Sequence, residues 1–202
     1  MKTRFLVIFA ITALGFFTNY AFCGENAKDM QRHLCAICHG PGGTTTSELF
    51  PQLAGQPSQY FINQMTGFHN KSRSDENARR FMWGISSMLS DTDIQQLAIY
   101  YESQLPVHQG KVSDQAKYEL GKNIFMNGQP DKGVPPCMVC HGEKGEGKEA
   151  TPRLGGQHEA YLTRQLKVFY GDERPAATAM HEIVKGLSES DIEAIAHYLQ
   201  AQ

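Results

Sequence analysis

The sequence predicts an all-α protein that consists of two tandem domains of similar size. The apolar–polar alternation typical of strands is sparse along the 202 residues, whereas short apolar patterns with helical spacing recur. Blocks of sequence from the first half also reappear in the second half, at a separation that changes by only a few residues. We therefore interpret each half as one copy of a duplicated helical unit.

Each half ends in a segment that is typical of a short amphipathic helix. Ser90 and Asp93 form a capping-box pattern, and apolar residues then follow at helical spacing, namely Ile94, Leu97, Ala98 and Tyr101. The second copy has the same pattern in Ser188, Asp191, Ile192, Ile195, Ala196 and Leu199. Further helices are predicted over 27–34 and 115–126, and glycine-rich segments from 40 and from 142 predict loops.

The first 23 residues predict a cleaved secretory signal peptide, which implies export. A basic start precedes an apolar run over 5–17 and a small-residue pattern that ends at Cys23. A membrane anchor is the weaker alternative, because the run is shorter than the ~20 residues of a spanning helix. A lipid anchor on Cys23 is disfavoured by the bulky Phe22 before it.

The remaining chain is predicted to divide into a first domain at 24–104, a linker at 105–113 and a second domain at 114–202. The linker contains Pro106 and Gly110 and has little helical pattern. The chain has 19 Lys and Arg residues against 21 Asp and Glu residues, interspersed, for a net charge of -2. This balance argues against nucleic acid as a partner.

Two C-x-x-C-H motifs, at 35–39 and 137–141, predict two covalently attached haem c groups. The thiols of each motif can form thioethers with the haem vinyl groups, and the histidine can ligate the iron. The predicted attachment residues are Cys35, Cys38, Cys137 and Cys140, with His39 and His141 as axial ligands. The alternatives are a redox dithiol, which should follow a strand, and a shared zinc site, which leaves the histidines without a role.

The repeat extends well beyond the two motifs. Residues 51–56 match 152–157, and 89–94 match 187–192. Between these blocks, four residues recur at one constant separation, with Tyr60, Gln64, Phe68 and Arg73 matching Tyr161, Gln165, Phe169 and Arg174. Because the changes of separation fall between the blocks, we interpret them as short insertions in loops.

The second axial ligand separates an electron carrier from a catalyst, because only an open iron can bind a substrate. The candidate methionines are Met65, Met82, Met88, Met126, Met138 and Met180. Only Met82 and Met180 are equivalent in the repeat, each seven residues before a Leu-Ser-x-x-Asp-Ile segment. We therefore predict Met82 and Met180 as ligands, with His181 as the alternative in the second half. The remaining histidines are mostly expected at the surface.

These motifs resemble those of the dihaem cytochrome c4 family, periplasmic carriers made of two fused class I cytochrome c domains. The resemblance covers the predicted mature chain and includes the Pro-x-Leu-x-Gly-Gln and Gln-x-x-x-Phe-x-x-x-x-Arg segments. It implies that the carbonyl groups of Pro51 and Pro152 accept hydrogen bonds from the two ligand histidines. It also implies that the haem propionate edges approach each other. Candidate ligands for the propionates are Arg73 and Arg174, or Gln56 and Gln157.

The predicted function is one-electron transfer without catalysis, since His and Met together leave no free position on either iron. The family resemblance implies a quinol-oxidising complex or a periplasmic dehydrogenase as electron donor, and a terminal oxidase or reductase as electron acceptor. Loose association of the protein with the membrane is compatible with these partners. A dedicated electron-accepting subunit of one dehydrogenase would have the same haem sites. An enzyme, such as a dihaem peroxidase or a thiosulfate-oxidising cytochrome, would need an open iron. Trp83 beside Met82 corresponds to His181, so the two haems are expected to differ in potential.

Overall fold

The computed structural model describes residues 26–108, 110 and 112–202. The first half contains helices α1 (Ala36–His39), α2 (Ser58–His69), α3 (Trp83–Ser86) and α4 (Asp91–Glu102). The second half contains α5 (Gln115–Asn127), α6 (Met138–His141), α7 (Glu159–Val168), α8 (Thr178–Val184) and α9 (Glu189–Gln200). Wider π-helical turns lead into α1 at Gln31–Cys35 and into α3 at Ala78–Met82.

The all-α prediction is confirmed across the residues that the structure describes. Extended pairing there is limited to two isolated bridges, Gln129 with Val134 and Lys148 with Thr151. The helix predicted over 27–34 continues to 39, so it runs directly into the first haem motif. The helix predicted over 115–126 ends at Asn127, and a loop separates it from α6. The predicted signal peptide lies outside the described residues.

Each half has its own hydrophobic core. In the first half, α2 and α4 enclose Phe61, Met65, Phe68, Leu97 and Tyr101. In the second half, α5, α7 and α9 enclose a matching set, Phe125, Leu162, Ile192, Ile195 and Leu199. Two separate cores are the physical basis for treating the halves as two domains, which we call domain 1 and domain 2.

Domain 2 depends on a close approach between its two longest helices, α5 and α9. A Cβ atom placed on Gly121 would lie 1.9 Å from the carbonyl oxygen of Ala194. Only a residue without a side chain allows this separation, so Gly121 sets the distance between the helices. Each of the final helices begins with the predicted capping box, at Ser90 in α4 and at Ser188 in α9.

The domains meet through two reciprocal pairs of hydrogen bonds that follow the repeat. The Gln56 amide donates to the carbonyl of Arg153 at 3.0 Å and accepts from its backbone N–H at 2.8 Å. The Gln157 amide forms the equivalent pair with the backbone of Gln52, at 3.0 and 2.8 Å. A side-chain amide that satisfies both backbone groups of one residue holds the two domains in a single register.

The segment predicted as the linker has no helix where the structure describes it, and it packs against the interface. A Cβ atom on Gly156, which has a φ of +76°, would lie 2.1 Å from the carbonyl oxygen of Val107. Gly156 therefore permits both the turn and the contact with the segment. Within the described residues, no helix combines the length and apolar character needed to cross a membrane.

Candidate haem sites

A single cavity of about 670 Å³ extends through both domains. It is lined mainly by apolar side chains, from α2 and α4 in domain 1 and from α7 to α9 in domain 2. All eight predicted attachment and ligand residues line it, namely Cys35, Cys38, His39, Met82, Cys137, Cys140, His141 and Met180. The fold therefore brings the two predicted sites next to each other in one continuous space.

The two motif histidines are held in the same way. The Nδ1 of His39 donates to the carbonyl oxygen of Pro51 at 2.9 Å, and that of His141 donates to Pro152 at 3.1 Å. Both rings are nearly buried, and burial lowers the pKa of both imidazoles, although the proline carbonyl opposes the shift. Each ring is thus neutral with Nδ1 occupied, which leaves the lone pair of Nε2 available to a metal.

One cysteine of each motif lies in a largely desolvated environment. Among the described residues, all four are free and none forms a disulfide. Burial raises the pKa of the Cys35 thiol and raises that of Cys137 to about 11. A catalytic redox pair requires a thiol with a lowered pKa, and neither Cys35 nor Cys137 has one. No group of three or more potential metal-binding side chains is found in the described part of the chain, which disfavours the shared zinc site.

The methionines separate into those that reach the cavity and those that do not. Met82 and Met180 line the cavity, and so does the buried Met65 of α2. Met88 is 63% exposed, and Met126 and Met138 pack against the core of domain 2. Leu166 lines the cavity at the position equivalent to Met65, which shows that this position fills space in the second copy.

These observations meet the requirements of haem c in both domains. Each half offers two neighbouring thiols, one imidazole with a free nitrogen and at least one thioether, all on the wall of a mainly apolar cavity. Such a donor set matches covalent attachment with His and Met ligation. It does not match a hard cation, which prefers oxygen ligands.

The charged wall of the cavity is a feature that the sequence does not reveal. The Oε1 of Gln64 accepts from Arg73 at 2.8 Å and from Arg174 at 3.0 Å. The Oε1 of Gln165 accepts from Arg174 at 2.8 Å and from Arg73 at 2.9 Å. The repeat marked all four residues, but only the structure closes them into one largely buried ring across the domain boundary, which we call the Arg–Gln ring.

The structure distinguishes between the two candidate sets of propionate ligands. The amides of Gln56 and Gln157 are engaged in the backbone pairs at the domain interface. The guanidinium groups of Arg73 and Arg174 lie in the Arg–Gln ring on the cavity wall. A buried guanidinium requires an anionic or strongly accepting partner, so the arginines are the better matched to a carboxylate of the cofactor.

Trp83 and His181 are equivalent in the repeat, and each places a ring nitrogen against the backbone carbonyl of an arginine of the Arg–Gln ring. The Nε1 of Trp83 donates a hydrogen bond to the carbonyl oxygen of Arg73 at 2.9 Å. The Nε2 of His181 lies 3.0 Å from the carbonyl oxygen of Arg174. The Nδ1 of His181 lies 2.7 Å from the carbonyl of Phe169. Both ring nitrogens of His181 are therefore occupied by backbone oxygens, which argues against His181 as an iron ligand.

The expectation that the other histidines lie at the surface is wrong for two of them. His197 is 3% exposed, and its Nδ1 lies 2.6 Å from a carboxylate oxygen of Glu159. His158 is 4% exposed, and its Nε2 lies 3.0 Å from the carbonyl of Thr45 across the interface. Each is buried because a partner from a distant part of the chain satisfies its ring.

Aromatic packing beside the ligand histidine is present in domain 1. The ring of Phe50 lies 5.9 Å from that of His39 and 5.2 Å from that of Phe81, centroid to centroid, both edge-on. The positions equivalent to Phe50 and Phe81 carry Thr151 and Ala179. The aromatic packing beside His39 is therefore not repeated by the equivalent positions of domain 2.

Comparison with known proteins agrees with this geometry. The family model described as cytochrome c matches residues 118–202. The chain is 34% identical over 205 residues to cytochrome c4 of Azotobacter vinelandii, which covers 96% of this chain and 95% of the relative. It is also 30% identical over 202 residues to the thiosulfate dehydrogenase electron acceptor of Thiomonas intermedia, covering 96% and 90% of the two chains.

A solved structure shares the whole architecture. The cytochrome c4 of Acidithiobacillus ferrooxidans superimposes with a TM-score of 0.77 at 34% sequence identity, covering 83% of this chain and 98% of that one. Both domains are included in this similarity. The fold is thus that of two class I cytochrome c domains, and the expected cofactors are two covalently bound haem c groups.

Proposed function

The chain belongs to the cytochrome c4 family of dihaem electron carriers, and on that premise we propose that it transfers single electrons between redox proteins of the periplasmic respiratory chain. The observation that supports this proposal most directly is the single cavity, whose wall holds both sets of predicted ligands. Two redox sites in one continuous cavity can exchange an electron without a diffusing partner, whereas an isolated site cannot. The cofactor, when bound, supplies a one-electron Fe(III)/Fe(II) couple.

The residues of this chain have distinct roles in the proposal. The cysteine thiols of each motif attach the porphyrin, and His39 and His141 ligate iron through Nε2. The carbonyls of Pro51 and Pro152 hold the imidazole rings in one tautomer and orientation. Met82 and Met180 would each give the iron a soft neutral ligand, which favours Fe(II) and raises the reduction potential.

Closed coordination has a kinetic consequence. With one histidine and one methionine from the chain holding each iron, no substrate oxygen or sulfur atom would have access to the metal. The chain then transfers electrons through the cofactor edge with little movement of its own side chains. This arrangement favours a carrier over a peroxidase, because a peroxidase needs an open position.

The partners follow from chemistry and family. We propose a membrane quinol-oxidising complex or a periplasmic dehydrogenase as donor and a terminal oxidase or reductase as acceptor. Residues 1–23 are proposed to direct export and to be removed, which leaves 24–104 and 114–202 as the mature domains joined by 105–113. N-terminal sequencing of the protein from a periplasmic fraction would test this, and retention of Cys23 would contradict it.

A second candidate function is the dedicated acceptor of one dehydrogenase. It is favoured by the similarity to the thiosulfate dehydrogenase electron acceptor over nearly the full length of both chains. The haem sites of the two candidates would be the same. Reduction of the purified protein by thiosulfate plus its dehydrogenase, compared with reduction by quinol plus a quinol-oxidising complex, separates them. A dedicated acceptor would respond only to the first.

Optical spectroscopy tests the ligands directly. We expect two c-type haems per chain and the weak near-infrared band of sulfur-to-iron charge transfer. Met82→Ala and Met180→Ala should each remove half of that band, because each removes one thioether. Met65→Leu is the matched control, since leucine already occupies the equivalent position in domain 2. Loss of the band in Met65→Leu, or its persistence in Met82→Ala, would overturn the assignment.

A further inference from the structure

A buried hydroxyl group without a hydrogen-bond partner lies at the cavity wall of domain 1. It belongs to Tyr101 of α4, which is fully buried and lines the cavity. Within the described residues, the hydroxyl oxygen of Tyr101 makes no hydrogen bond. Because an unpaired buried hydroxyl is costly, this group is expected to have a partner in the functional protein.

The ring of Tyr101 is held by its neighbours on several sides. It packs 5.4 Å from the ring of Phe61 and 5.3 Å from that of Tyr100, centroid to centroid. A Cβ atom on Gly43 would lie 2.8 Å from the Tyr101 ring, so the ring rests directly against the backbone that follows the first haem motif. The backbone carbonyl of Tyr101 accepts from the N–H of Gly55 at 2.8 Å. These contacts keep the hydroxyl in one place.

The neighbour of this hydroxyl is the thiol of Cys35. Cys35 packs against the core cluster that contains Tyr101. Burial raises the pKa of the Cys35 thiol, and the contact with the Tyr101 hydroxyl opposes that shift. Burial, together with the same contact, raises the pKa of Tyr101. The hydroxyl therefore keeps its proton at neutral pH and is available as a donor.

Domain 2 has no such hydroxyl. Leu199 is the equivalent of Tyr101, since each lies the same number of residues after the capping serine of its helix. Leu199 also rests against the backbone after its haem motif, because a Cβ atom on Gly145 would lie 3.0 Å from its side chain. Leu199 and Cys137 both line the cavity. The two domains share the packing at this position, and only domain 1 adds a donor to it.

Attachment of the cofactor changes what the sulfur of Cys35 can do. The thiol adds across a vinyl group, so that one vinyl carbon gains the sulfur and the other gains the thiol proton, with no oxidant or reductant consumed. The resulting thioether has no S–H group and can only accept a hydrogen bond. In the attached state, the Tyr101 hydroxyl is therefore the donor of the pair.

We propose that Tyr101 is a positioning residue that donates a hydrogen bond to the Cys35 sulfur in the haem-loaded protein and so fixes the cofactor edge of domain 1. The inference rests on the proposed two-haem function. The hydrogen bond withdraws electron density from the sulfur, which favours the reduced state of the domain 1 site. A thioether is a weak acceptor, so the effect on this state is small. Tyr101 thus adjusts one site of the pair and leaves the other unchanged.

Proton NMR of the fully reduced protein tests the contact directly, because low-spin Fe(II) is diamagnetic. We expect one slowly exchanging hydroxyl signal with a nuclear Overhauser contact to the thioether protons at Cys35. Tyr101→Phe removes only the hydroxyl and should abolish this signal. Tyr100→Phe is the matched control, because the Tyr100 hydroxyl donates to Gln31 at 3.5 Å and is not part of the described cavity wall. Tyr101→Leu copies Leu199 and keeps the test decisive if Tyr101→Phe does not fold.

Resonance Raman spectra in H2O and in fully exchanged D2O separate a hydrogen bond from simple packing. The carbon–sulfur modes of one of the two haems should shift in D2O. This shift should vanish in Tyr101→Phe and Tyr101→Leu and persist in Tyr100→Phe. In a spectroelectrochemical titration at fixed applied potential, Tyr101→Phe should raise the oxidised-to-reduced ratio of domain 1 about twofold. The ratio of domain 2 should not change.

Three results would overturn the inference. The first is a Tyr101 hydroxyl signal that contacts groups other than the Cys35 thioether. The second is a set of carbon–sulfur modes that are insensitive to D2O in the unmodified protein. The third is a loss of the D2O shift in Tyr100→Phe as well as in Tyr101→Phe. Fewer than two c-type haems in the unmodified protein would instead contradict the proposed carrier function.

Discussion

The two domains place the same set of residues around the cavity with different supporting structures. In domain 1, helical residues run without interruption from 26 to 39, through a π-helical turn that ends at Cys35. In domain 2, α5 ends at Asn127, and a loop intervenes before α6. Met82 ends a second π-helical turn, whereas Met180 lies within α8. The two domains therefore share the C-x-x-C-H motif but differ in the helices and loops that hold it in place.

The loop between α5 and α6 of domain 2 is held by Asp191, whose equivalent in domain 1 is Asp93. Asp93 and Asp191 are both the acidic members of capping boxes. Asp191 also accepts from Gln129 and Lys132 in the loop, both at 3.1 Å. One side chain therefore caps a helix and holds the segment that leads to the haem motif. The two domains should therefore respond differently to equivalent substitutions.

Gly121→Ala should destabilise domain 2 by about 3 kcal/mol. The added methyl group would collide with the backbone of Ala194, which cannot move without separating α5 from α9. Chemical denaturation followed by domain-specific NMR signals gives the change in unfolding free energy. Gly84→Ala in α3 is the control, because a Cβ atom there meets nothing within 4 Å. Similar effects of the two substitutions would contradict the close approach of the helices.

Asp191→Asn should cost about 2 kcal/mol of stability, against about 1 kcal/mol for Asp93→Asn. Both variants weaken a capping box, but only Asp191→Asn removes the ion pair with Lys132 and weakens the loop contact. The measurement is the midpoint of thermal unfolding for each domain. Equal losses would show that the loop contacts do not contribute to the stability of domain 2.

Gln157→Ala should weaken the domain interface more than Gln56→Ala, by about 2 against about 1 kcal/mol. The amide of Gln157 serves both backbone groups of the buried Gln52 and also accepts from the backbone N–H of His158. Hydrogen exchange at the backbone amide of Gln52 should accelerate in the first variant, and that of Arg153 in the second. An unchanged rate at Gln52 would contradict the reciprocal pairing.

Acid should affect domain 2 through Asp191. Burial raises the pKa of this carboxyl, but hydrogen bonds from Ser188, Lys132 and Gln129 outweigh it and lower the pKa from 3.8 to about 2. Because the folded pKa is depressed, this stabilisation is complete above about pH 4 and is lost as pH falls toward 2. Acid titration of domain 2 in the unmodified protein should therefore be steeper than in Asp191→Asn. Parallel titration curves would contradict the assignment.

Much of this protein follows from local sequence. The C-x-x-C-H motifs place two thiols and an imidazole on one helical turn, so haem attachment is determined by covalent chemistry within five residues. The helices from Ser90 and Ser188 follow from their capping residues and apolar spacing, and the structure confirms them. The repeat singled out Met82 and Met180, and both line the cavity.

Only the tertiary structure decided how the two domains meet and which polar and charged side chains form hydrogen bonds across the boundary between them. Gln64 and Arg174 lie 110 residues apart, and Gln56 and Arg153 lie 97 apart, yet both pairs are in hydrogen-bond contact. Periodicity and spacing report which face of a helix is apolar, but a polar contact depends on how two folded units dock. For that reason the sequence predicts the two haem motifs and their ligands, whereas the Arg–Gln ring exists only in the assembled fold.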